Sequence, residues 1–401
     1  MNNIRRGWCP SLFKPMETGD GFLCRIKPFF SSITSDQARF IAELSEQYGN
    51  GYINLSQKGN LQLRGFTREN VDIAIPKVIQ AHLGSNDANM EEKRNIMIAP
   101  LWDLDPSRNA DVYHIAHELQ NALEARPEIH PLTGKFSFLI DGGEEYGLRN
   151  VYADVNIRAY DKSWIIQLGH DENVIICDRQ DLVKMALEIT QFCKNHQLKR
   201  LLNPENTKLY LQQISYPTID YKNNDHYHSL PIGYVQLPTS SIVHVGVPFG
   251  LLKASQLFHL ADVADQFGNG TVRFTPWRSI ILPHCSKEAL LDLSDFIVTA
   301  EDPRLRIILC PGKPFCVQGQ QATIEDVVSL FLIWKKQTRI LHMSGCAKGC
   351  ASPQINAVTL CATQEGYNLV FDGKADQDTS YQNLKLTEII NLLQKDSQSL
   401  H

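Results

Sequence analysis

Four of the ten cysteines form two close pairs late in the sequence, Cys310 with Cys316 and Cys346 with Cys350. Four thiolates supplied by two short loops suit one metal centre, and a four-iron, four-sulfur cluster takes a cysteine thiolate at each of its irons. Glycines and prolines surround both pairs, so the backbone can curve around a cluster and donate N–H groups to its sulfurs. The spacing therefore predicts a 4Fe-4S site.

Three other interpretations of these cysteines remain open from the residues alone. Disulfide bonds are disfavoured, because we find no apolar secretory segment in the first residues and cytosolic thiols stay reduced. Structural zinc normally uses C-x2-C pairs, whereas these pairs are C-x5-C and C-x3-C. The third interpretation is unrelated buried cysteines, which is what we expect for those scattered singly. The scattered cysteines are Cys9, Cys24, Cys177, Cys193, Cys285 and Cys361.

The composition is that of an ordinary globular protein with several structural units. The 401 residues are 43% hydrophobic and carry a formal charge of −5, which gives no indication of nucleic-acid binding. The most apolar run, residues 327–334, is far shorter than the roughly 20 residues that span a bilayer. We therefore expect a cytoplasmic protein with neither a membrane nor a nucleic-acid partner.

An internal repeat organises the elements that precede the cysteines. Residues 35–63 match residues 254–282 without a gap, including the whole Gly-Asn-Gly sequence. In each copy the pattern predicts a strand, a helix, a glycine stop and two paired strands; in the first, Gly49 is expected to end the helix in the left-handed conformation. Each copy is too small to bury its own apolar face well, so we predict two copies packed about a pseudo-twofold axis.

The two remaining stretches predict one further unit after each copy. The proposed boundaries are 1–75 and 229–300 for the repeats, 86–221 for the middle unit and 301–401 for the unit with the paired cysteines. In the middle unit we predict a helix over 111–123 and a strand over 135–140. In the last unit, apolar residues on most faces of 323–336 predict a largely buried helix.

Three motifs carry a family resemblance that spans nearly the whole chain. The SGCAKGC core resembles the nitrite and sulfite reductase superfamily, and RGWCPSLFKPMETGDG at 6–21, TPWR at 275–278 and HMSGCAKGCASP at 342–353 resemble the precorrin-3B synthase family within it. The resemblance implies an α+β fold in which ferredoxin-like half-domains pack as a pseudo-twofold repeat, each followed by a sulfite-reductase-like α/β unit. It also implies that the paired cysteines hold the 4Fe-4S cluster.

The same resemblance implies an activity, cofactors and partners. It implies a monooxygenase-type oxidoreductase of aerobic cobalamin biosynthesis, which hydroxylates precorrin-3A with dioxygen and an external electron donor and closes a lactone to give precorrin-3B. It further implies a mononuclear non-haem iron, for which no histidine ligand can be chosen. The histidines available are His114, His117, His226, His228 and His342.

Basic residues supply the candidate substrate ligands. Matched to the superfamily pattern, Lys58, Arg94 and Lys135 are expected to face a shared cavity, where they could pair with carboxylates of a tetrapyrrole. A second lysine of the reductases should stand at position 137, where this chain has Ser137. From the residues alone, Arg64 and Arg278 are equally compatible with structural and functional roles.

Two alternative functions stay open. In a sirohaem-dependent sulfite or nitrite reductase, Cys350 would also bridge the cluster to the haem iron; Ser137 and the GWCP and TPWR motifs argue against this function. An iron-sulfur electron carrier or redox sensor would need neither the repeat nor the middle unit.

Overall fold

The computed structural model describes residues 9–106, 111–129, 133–214, 216–221, 229–335, 337–352 and 354–399. Within these ranges, every helix is too short or too polar to cross a membrane. The described strands form four sheets, two built by the repeats and one by each of the other units. The structure is an α+β fold, as predicted.

The first half-domain is a sheet covered on one face by two helices. Helix α1 begins directly after Thr34, because Thr34 Oγ1 accepts from the Gln37 amide at 3.2 Å and Gln37 Oε1 accepts from the Thr34 amide at 3.1 Å. The expected left-handed Gly49 is wrong: its φ is −111°, and the left-handed conformation falls on Gly51, with φ +75°. The elements are β1 (Met16–Thr18), β2 (Gly21–Ile26), β3 (Ser32–Thr34), α1 (Ser35–Tyr48), β4 (Tyr52–Leu55), β5 (Leu61–Phe66) and α2 (Arg68–Gln80).

The middle unit follows the first half-domain. The helix predicted over 111–123 is present as Val112–Glu124, whereas the strand predicted over 135–140 begins later, at Phe138. The elements are α3 (Ala88–Lys93), β6 (Ile96–Ile98), α4 (Val112–Glu124), β7 (Phe138–Asp141), β8 (Val155–Tyr160), β9 (Ser163–Leu168), β10 (Asn173–Cys177), α5 (Leu182–Asn195), α6 (Pro204–Leu211) and β11 (Thr218–Asp220). Strands β6, β7 and β8 are parallel, and β9 to β11 continue the sheet antiparallel.

The second half-domain repeats the first, confirming the predicted duplication. Even an unusual backbone feature recurs, since Phe30 has φ +51° and Phe249, 219 residues later, has φ +58°. The elements are β12 (Gly233–Gln236), β13 (Ser241–Gly246), β14 (Leu251–Lys253), α7 (Ala254–Phe267), β15 (Thr271–Phe274) and β16 (Ser279–Pro283).

The two half-domains exchange strands. The first sheet has the order β1-β2-β5-β4-β14 and the second has the order β12-β13-β16-β15-β3, so each sheet ends in a strand of the other repeat. Helices α1 and α7 pack together between the sheets, and both halves contribute to one apolar core. The pseudo-twofold repeat is therefore a single folding unit.

The last unit has the strand pattern of the middle unit in a smaller form. The helix predicted over 323–336 is wrong in length and burial: a 3₁₀ turn at Val327–Leu330 interrupts it, and only one side is buried, while Val328 is 59% exposed. The elements are β17 (Ile307–Leu309), α8 (Thr323–Asp326), α9 (Phe331–Trp334), β18 (Leu341–Ser344), β19 (Asn356–Ala362), β20 (Tyr367–Gly373), β21 (Tyr381–Leu384) and α10 (Leu386–Ser399). Strands β17, β18 and β19 are parallel, and β20 and β21 antiparallel.

Candidate active site

The two cysteine pairs follow two neighbouring parallel strands. Cys310 comes directly after β17, and Cys346 comes two residues after β18. The Cys310 amide donates to the Met343 carbonyl at 2.9 Å, which continues the strand pairing up to the first cysteine. Because the carboxyl ends of parallel strands meet at one edge of a sheet, both loops begin at the same place.

The four thiols lie within electrostatic reach of one another. Burial raises the pKa of Cys310, and the neighbouring thiols of Cys316 and Cys346 raise it further. Burial also raises the pKa of Cys350, where Cys346 and Cys316 act in the same direction and Lys348 opposes them. Four acidic sulfurs gathered in this way would repel one another as thiolates, so their arrangement suits a cationic metal centre.

Backbone donors and glycines complete a cradle around the first thiol. The amides of Gly312 and Gly345 donate hydrogen bonds to the Cys310 sulfur, as expected for a metal-bound thiolate. Gly312 has φ +59°, and a Cβ at Gly345 would lie 2.9 Å from the Gly312 Cα and 3.4 Å from the Cys310 Sγ. Both positions therefore require glycine, and the residues present fit the cluster that the sequence predicts.

Arg64 attaches the cysteine loop to the first half-domain. Its guanidinium donates to Asp20 Oδ1 at 2.7 Å and to the carbonyl of Phe315, between the first two cysteines, at 2.6 Å. It also lies over the Phe315 ring, 5.0 Å from the centroid. Burial works against ionisation of Asp20, but Arg64 outweighs it and holds the pKa of that carboxyl below its usual value. Arg64 is thus a buried structural link to the candidate metal site.

Three cations of the first half-domain, Arg25, Lys27 and Lys58, lie close together where the sequence predicts the substrate cavity, and we call this group the basic cavity. Lys58 donates to the Lys135 carbonyl at 3.2 Å, and burial, together with Arg200 and Lys27, lowers the pKa of Lys58 to about 8. Burial also lowers the pKa of Lys27 to about 8, with Arg25 among the neighbours that contribute. The effect of Lys27 on the pKa of Lys58, and of Arg25 on the pKa of Lys27, indicates that the positive charges are close together, as a site for a polyanion requires.

Arg25 and Lys27 were missed by sequence reasoning. Arg25 lies on the face of β2 opposite its buried neighbours Cys24 and Ile26, and it donates to Gln62 Oε1 at 2.9 Å and hydrogen-bonds to Cys9. The signal that could have found it is a charged residue alternating with apolar ones in a strand beside the repeat. Cys9, of the GWCP motif, reaches this cavity.

The other predicted substrate ligands occupy different surroundings. Arg94 is buried, pairs with Glu91 at 2.6 Å and stacks on the Phe29 ring at 3.9 Å, so its charge is already compensated. Lys135 is exposed and precedes β7, and only its carbonyl contacts Lys58. A substrate role for Arg94 and for the Lys135 side chain stays a prediction.

Ser137 does not substitute for a lysine in the cavity. Its side chain is fully buried, its amide donates to Asp154 Oδ2 at 3.0 Å, and its hydroxyl lies 3.5 Å from the same oxygen. Asp154 also accepts from Arg200 Nε at 2.8 Å. The position that would hold a second lysine is therefore part of a closed polar network.

The histidines do not form a metal site in the described residues, where no group of three or more His, Cys, Asp or Glu has an arrangement that could hold a metal ion. Ligands of a four-iron cluster lie further apart than ligands of one ion, because each thiolate binds a different iron. His117 packs against Phe30 at 5.0 Å, and His114 is exposed on the same helix. His342 is fully buried with both ring nitrogens unpartnered. His226 and His228 lie outside the described residues.

Comparison with known proteins agrees with this architecture. The family model described as the nitrite/sulfite reductase ferredoxin-like half domain matches residues 14–76 and 235–297. A precorrin-3B synthase of a Sinorhizobium species is 28% identical over 93% of this chain and 84% of its own length. A ferredoxin–nitrite reductase of Leptolyngbya laminosa is 25% identical over 92% of this chain and 83% of its own length. The structure of the Mycobacterium tuberculosis NirA protein has the same fold, with a TM-score of 0.67, 15% identity and coverage of 92% of this chain and 79% of that one.

The paired half-domains and the satellite units define the class of protein: the chain is similar to members of the nitrite and sulfite reductase superfamily, whose ferredoxin-like half domain it carries twice. Within that superfamily it is similar to a precorrin-3B synthase as well as to nitrite reductases, and the cavity residues bear on the choice between them.

Proposed function

We propose that this protein is an oxidoreductase that converts precorrin-3A to precorrin-3B by oxygen-dependent hydroxylation and lactone formation. One oxygen atom of dioxygen enters the macrocycle as a hydroxyl group and the other leaves as water, while an external donor supplies two electrons and two protons. A neighbouring acetate side chain of the substrate closes the lactone. A cytoplasmic location belongs to the same proposal, because the many unpaired thiols suit a reducing compartment.

The observation that carries this proposal is the environment of Ser137. Reduction of a small oxyanion such as nitrite needs dense positive charge and proton donors around the anion. At position 137 the side chain is buried and held by Asp154, so it supplies neither charge nor a proton to the cavity. The absence of a lysine at position 137 affects the chemistry of the reductases and does not affect the binding of a larger anion.

The remaining cations suit a macrocycle with several carboxylates. Arg25 offers a planar fork for one carboxylate, and Lys58 offers a mobile point charge for another. Lys27 is buried, and its ammonium group donates to the Glu91 carbonyl at 2.8 Å. It would therefore attract the substrate carboxylates electrostatically without contacting them. These residues would bind and orient the tetrapyrrole against the first half-domain.

Cys310, Cys316, Cys346 and Cys350 would hold the 4Fe-4S cluster, which passes one electron at a time when bound. Cys350 is the exposed member of the four and therefore marks the side of the cluster loop that a substrate or a donor can approach. A mononuclear non-haem iron remains part of the proposal without assigned ligands.

A visible spectrum and a labelling experiment test the function. We expect purified protein to show a broad iron-sulfur absorption without the strong Soret band of sirohaem. Given precorrin-3A, a reductant and ¹⁸O₂, it should form a product that carries one ¹⁸O atom. A Soret band that is restored by adding sirohaem to the apoprotein, together with nitrite or sulfite consumption, would instead establish the reductase.

Lys58 should make tetrapyrrole binding depend on pH. Because its pKa is about 8, the ammonium group is charged at pH 7 and mostly neutral at pH 9, so affinity for a polycarboxylate should fall over this range. One partly shielded ion pair contributes about 1 to 3 kcal/mol, which corresponds to roughly 5- to 150-fold in affinity. Lys58→Arg should reduce the pH dependence to the part that Lys27 contributes, since arginine stays charged whereas Lys27 still loses its proton near pH 8.

Lys58→Met should bind the macrocycle weakly at both pH 7 and pH 9. Its melting temperature should not fall, because burial and neighbouring cations already disfavour the charge of Lys58. Lys184→Met is the matched control, as that side chain is 67% exposed on α5. Fluorescence titration with a uroporphyrinogen-type macrocycle in low and high salt measures the effect. Equal affinities of wild type and Lys58→Met at pH 7 would rule out this role for Lys58.

A further inference from the structure

A second cavity, of about 290 Å³, lies between the second half-domain and β17, the strand that leads to Cys310. Arg278 and Trp277 of the TPWR motif line it, with His244 on β13 and Ile307 on β17. It is distinct from the basic cavity, which involves the first half-domain and the middle unit. The repeat makes the two cavities comparable residue by residue.

Arg278 occupies a position that the first repeat gives to glycine. Its φ is +57°, and Gly59, the equivalent residue 219 positions earlier, has φ +66°. The neighbouring positions are exchanged as well: a Cβ at Gly59 would meet Ser31 Oγ at 2.6 Å, and a Cβ at Gly250 would meet Arg278 Cδ at 2.6 Å. The second repeat thus keeps an arginine in a strained conformation and opens space for its side chain.

The guanidinium of Arg278 has no partner among the described residues. Burial alone lowers its pKa, with no carboxylate to oppose the effect. The other arginine at this cavity, Arg304, is neutralised by Asp302 at 2.6 Å. His244 is neutral, since burial lowers its pKa to about 4, and its ring nitrogens lie 2.8 Å from the Pro231 carbonyl and 2.7 Å from Ser279 Oγ. Arg278 therefore supplies the uncompensated charge.

The second cavity has lost the three cations of the first. Arg25, Lys27 and Lys58 correspond to His244, Gly246 and Trp277. The second repeat thus has a neutral imidazole, a glycine and an indole ring where the first has three positive charges, and it has Arg278 where the first has Gly59.

We propose that the second cavity binds a small monoanion with a flat apolar body, of which a planar monocarboxylate is the simplest example. The Arg278 fork would take the carboxylate, and Trp277, Val247 and Ile297 would contact the body. An occupant would lie against the strand that delivers the first cluster cysteine.

Paired probes test the charge requirement. In calorimetry with the full-length protein, 1-naphthoate should bind at least tenfold more tightly than 1-naphthamide, which has the same shape without the charge. Binding should quench tryptophan fluorescence, and Trp277→Phe should remove most of the quenching. The Lys184→Met variant, which removes an exposed charge on α5, should bind naphthoate as tightly as wild type does.

The Arg278→Gly variant separates a binding role from a structural role. It copies the first repeat, so it should melt no lower than wild type and should lose the preference for naphthoate. A lower melting temperature with unchanged naphthoate affinity would overturn the proposal, as would equal affinity of wild type for the two probes. If Arg278→Gly does not fold, Arg278→Lys is measured instead. A weaker preference for naphthoate over naphthamide would support the site, and an unchanged preference would contradict it.

Discussion

Replacing any one of Cys310, Cys316, Cys346 or Cys350 by alanine should remove most of the iron and sulfide from the purified protein. Each thiolate is expected to hold one corner of the cluster, and an iron without its ligand is open to oxidative loss. The two loops begin at one sheet edge, and the amides of Gly312 and Gly345 donate to the Cys310 sulfur, so the backbone already holds this thiol in place. We expect each variant to lose roughly four irons and four sulfides per chain, the content of one cluster.

Iron and sulfide assays with visible absorption measure the result, after anaerobic purification. Cys361→Ala is a stringent control: this buried thiol lies near Cys346, and burial raises its pKa to about 11, yet it is not expected to be a ligand. Cys193→Ala, in the middle unit, controls for the loss of any buried thiol. Full iron content in all four alanine variants, or its loss only in Cys361→Ala, would contradict the assignment.

Arg64→Met should destabilise the protein by about 3 to 5 kcal/mol, because it leaves Asp20 buried without its cation. The ion pair is almost completely shielded, with both side chains 6% exposed. Arg64 also holds the Phe315 carbonyl, so the loop between Cys310 and Cys316 should loosen and lose iron faster to a chelator. Since the pKa of Asp20 is lowered in the folded state, the stabilisation is present at neutral pH and is lost as the pH falls through the folded-state pKa.

Denaturant unfolding of Arg64→Met, Asp20→Asn and the double variant measures this coupling. The double variant should recover part of the free energy of unfolding that Arg64→Met loses, because it no longer has the unpaired buried charge of Asp20. Arg39→Met is the matched control: it removes the ion pairs from α1 to Asp262 and Asp265 on α7, which are about half exposed, and should cost about 1 kcal/mol or less. A similar decrease in the free energy of unfolding for Arg64→Met and Arg39→Met would show that the buried Arg64 contacts contribute no more than an exposed ion pair.

The sequence predicted those features that depend on local pattern. The helix and the paired strands of each copy follow from short-range periodicity, and the duplication follows from alignment of the chain with itself. The family resemblance supplied the expected order of units, and the comparisons agree with it.

Features that depend on distant contacts were not predictable. Strands β3 and β14 are three residues long and pair with strands of the other repeat, so no local periodicity marks them. The burial of Arg94 could not be predicted either. Its partner Glu91 is close in sequence, but the Arg94 side chain is buried by contacts with Phe29 and Lys27. Arg278 was ambiguous because only the structure shows that its side chain lines a separate cavity.

The exchange of β3 and β14 has a consequence for the origin of the chain. A single ancestral copy of the half-domain would lack the edge strand that completes its sheet, and two identical copies could supply that strand to each other. Such an ancestor would be an intertwined homodimer with two identical ligand cavities related by a true twofold axis. Fusion of the two copies into one gene would remove the requirement that both cavities mutate together. One could then retain a cluster of cations while the other became narrow, aromatic and singly charged.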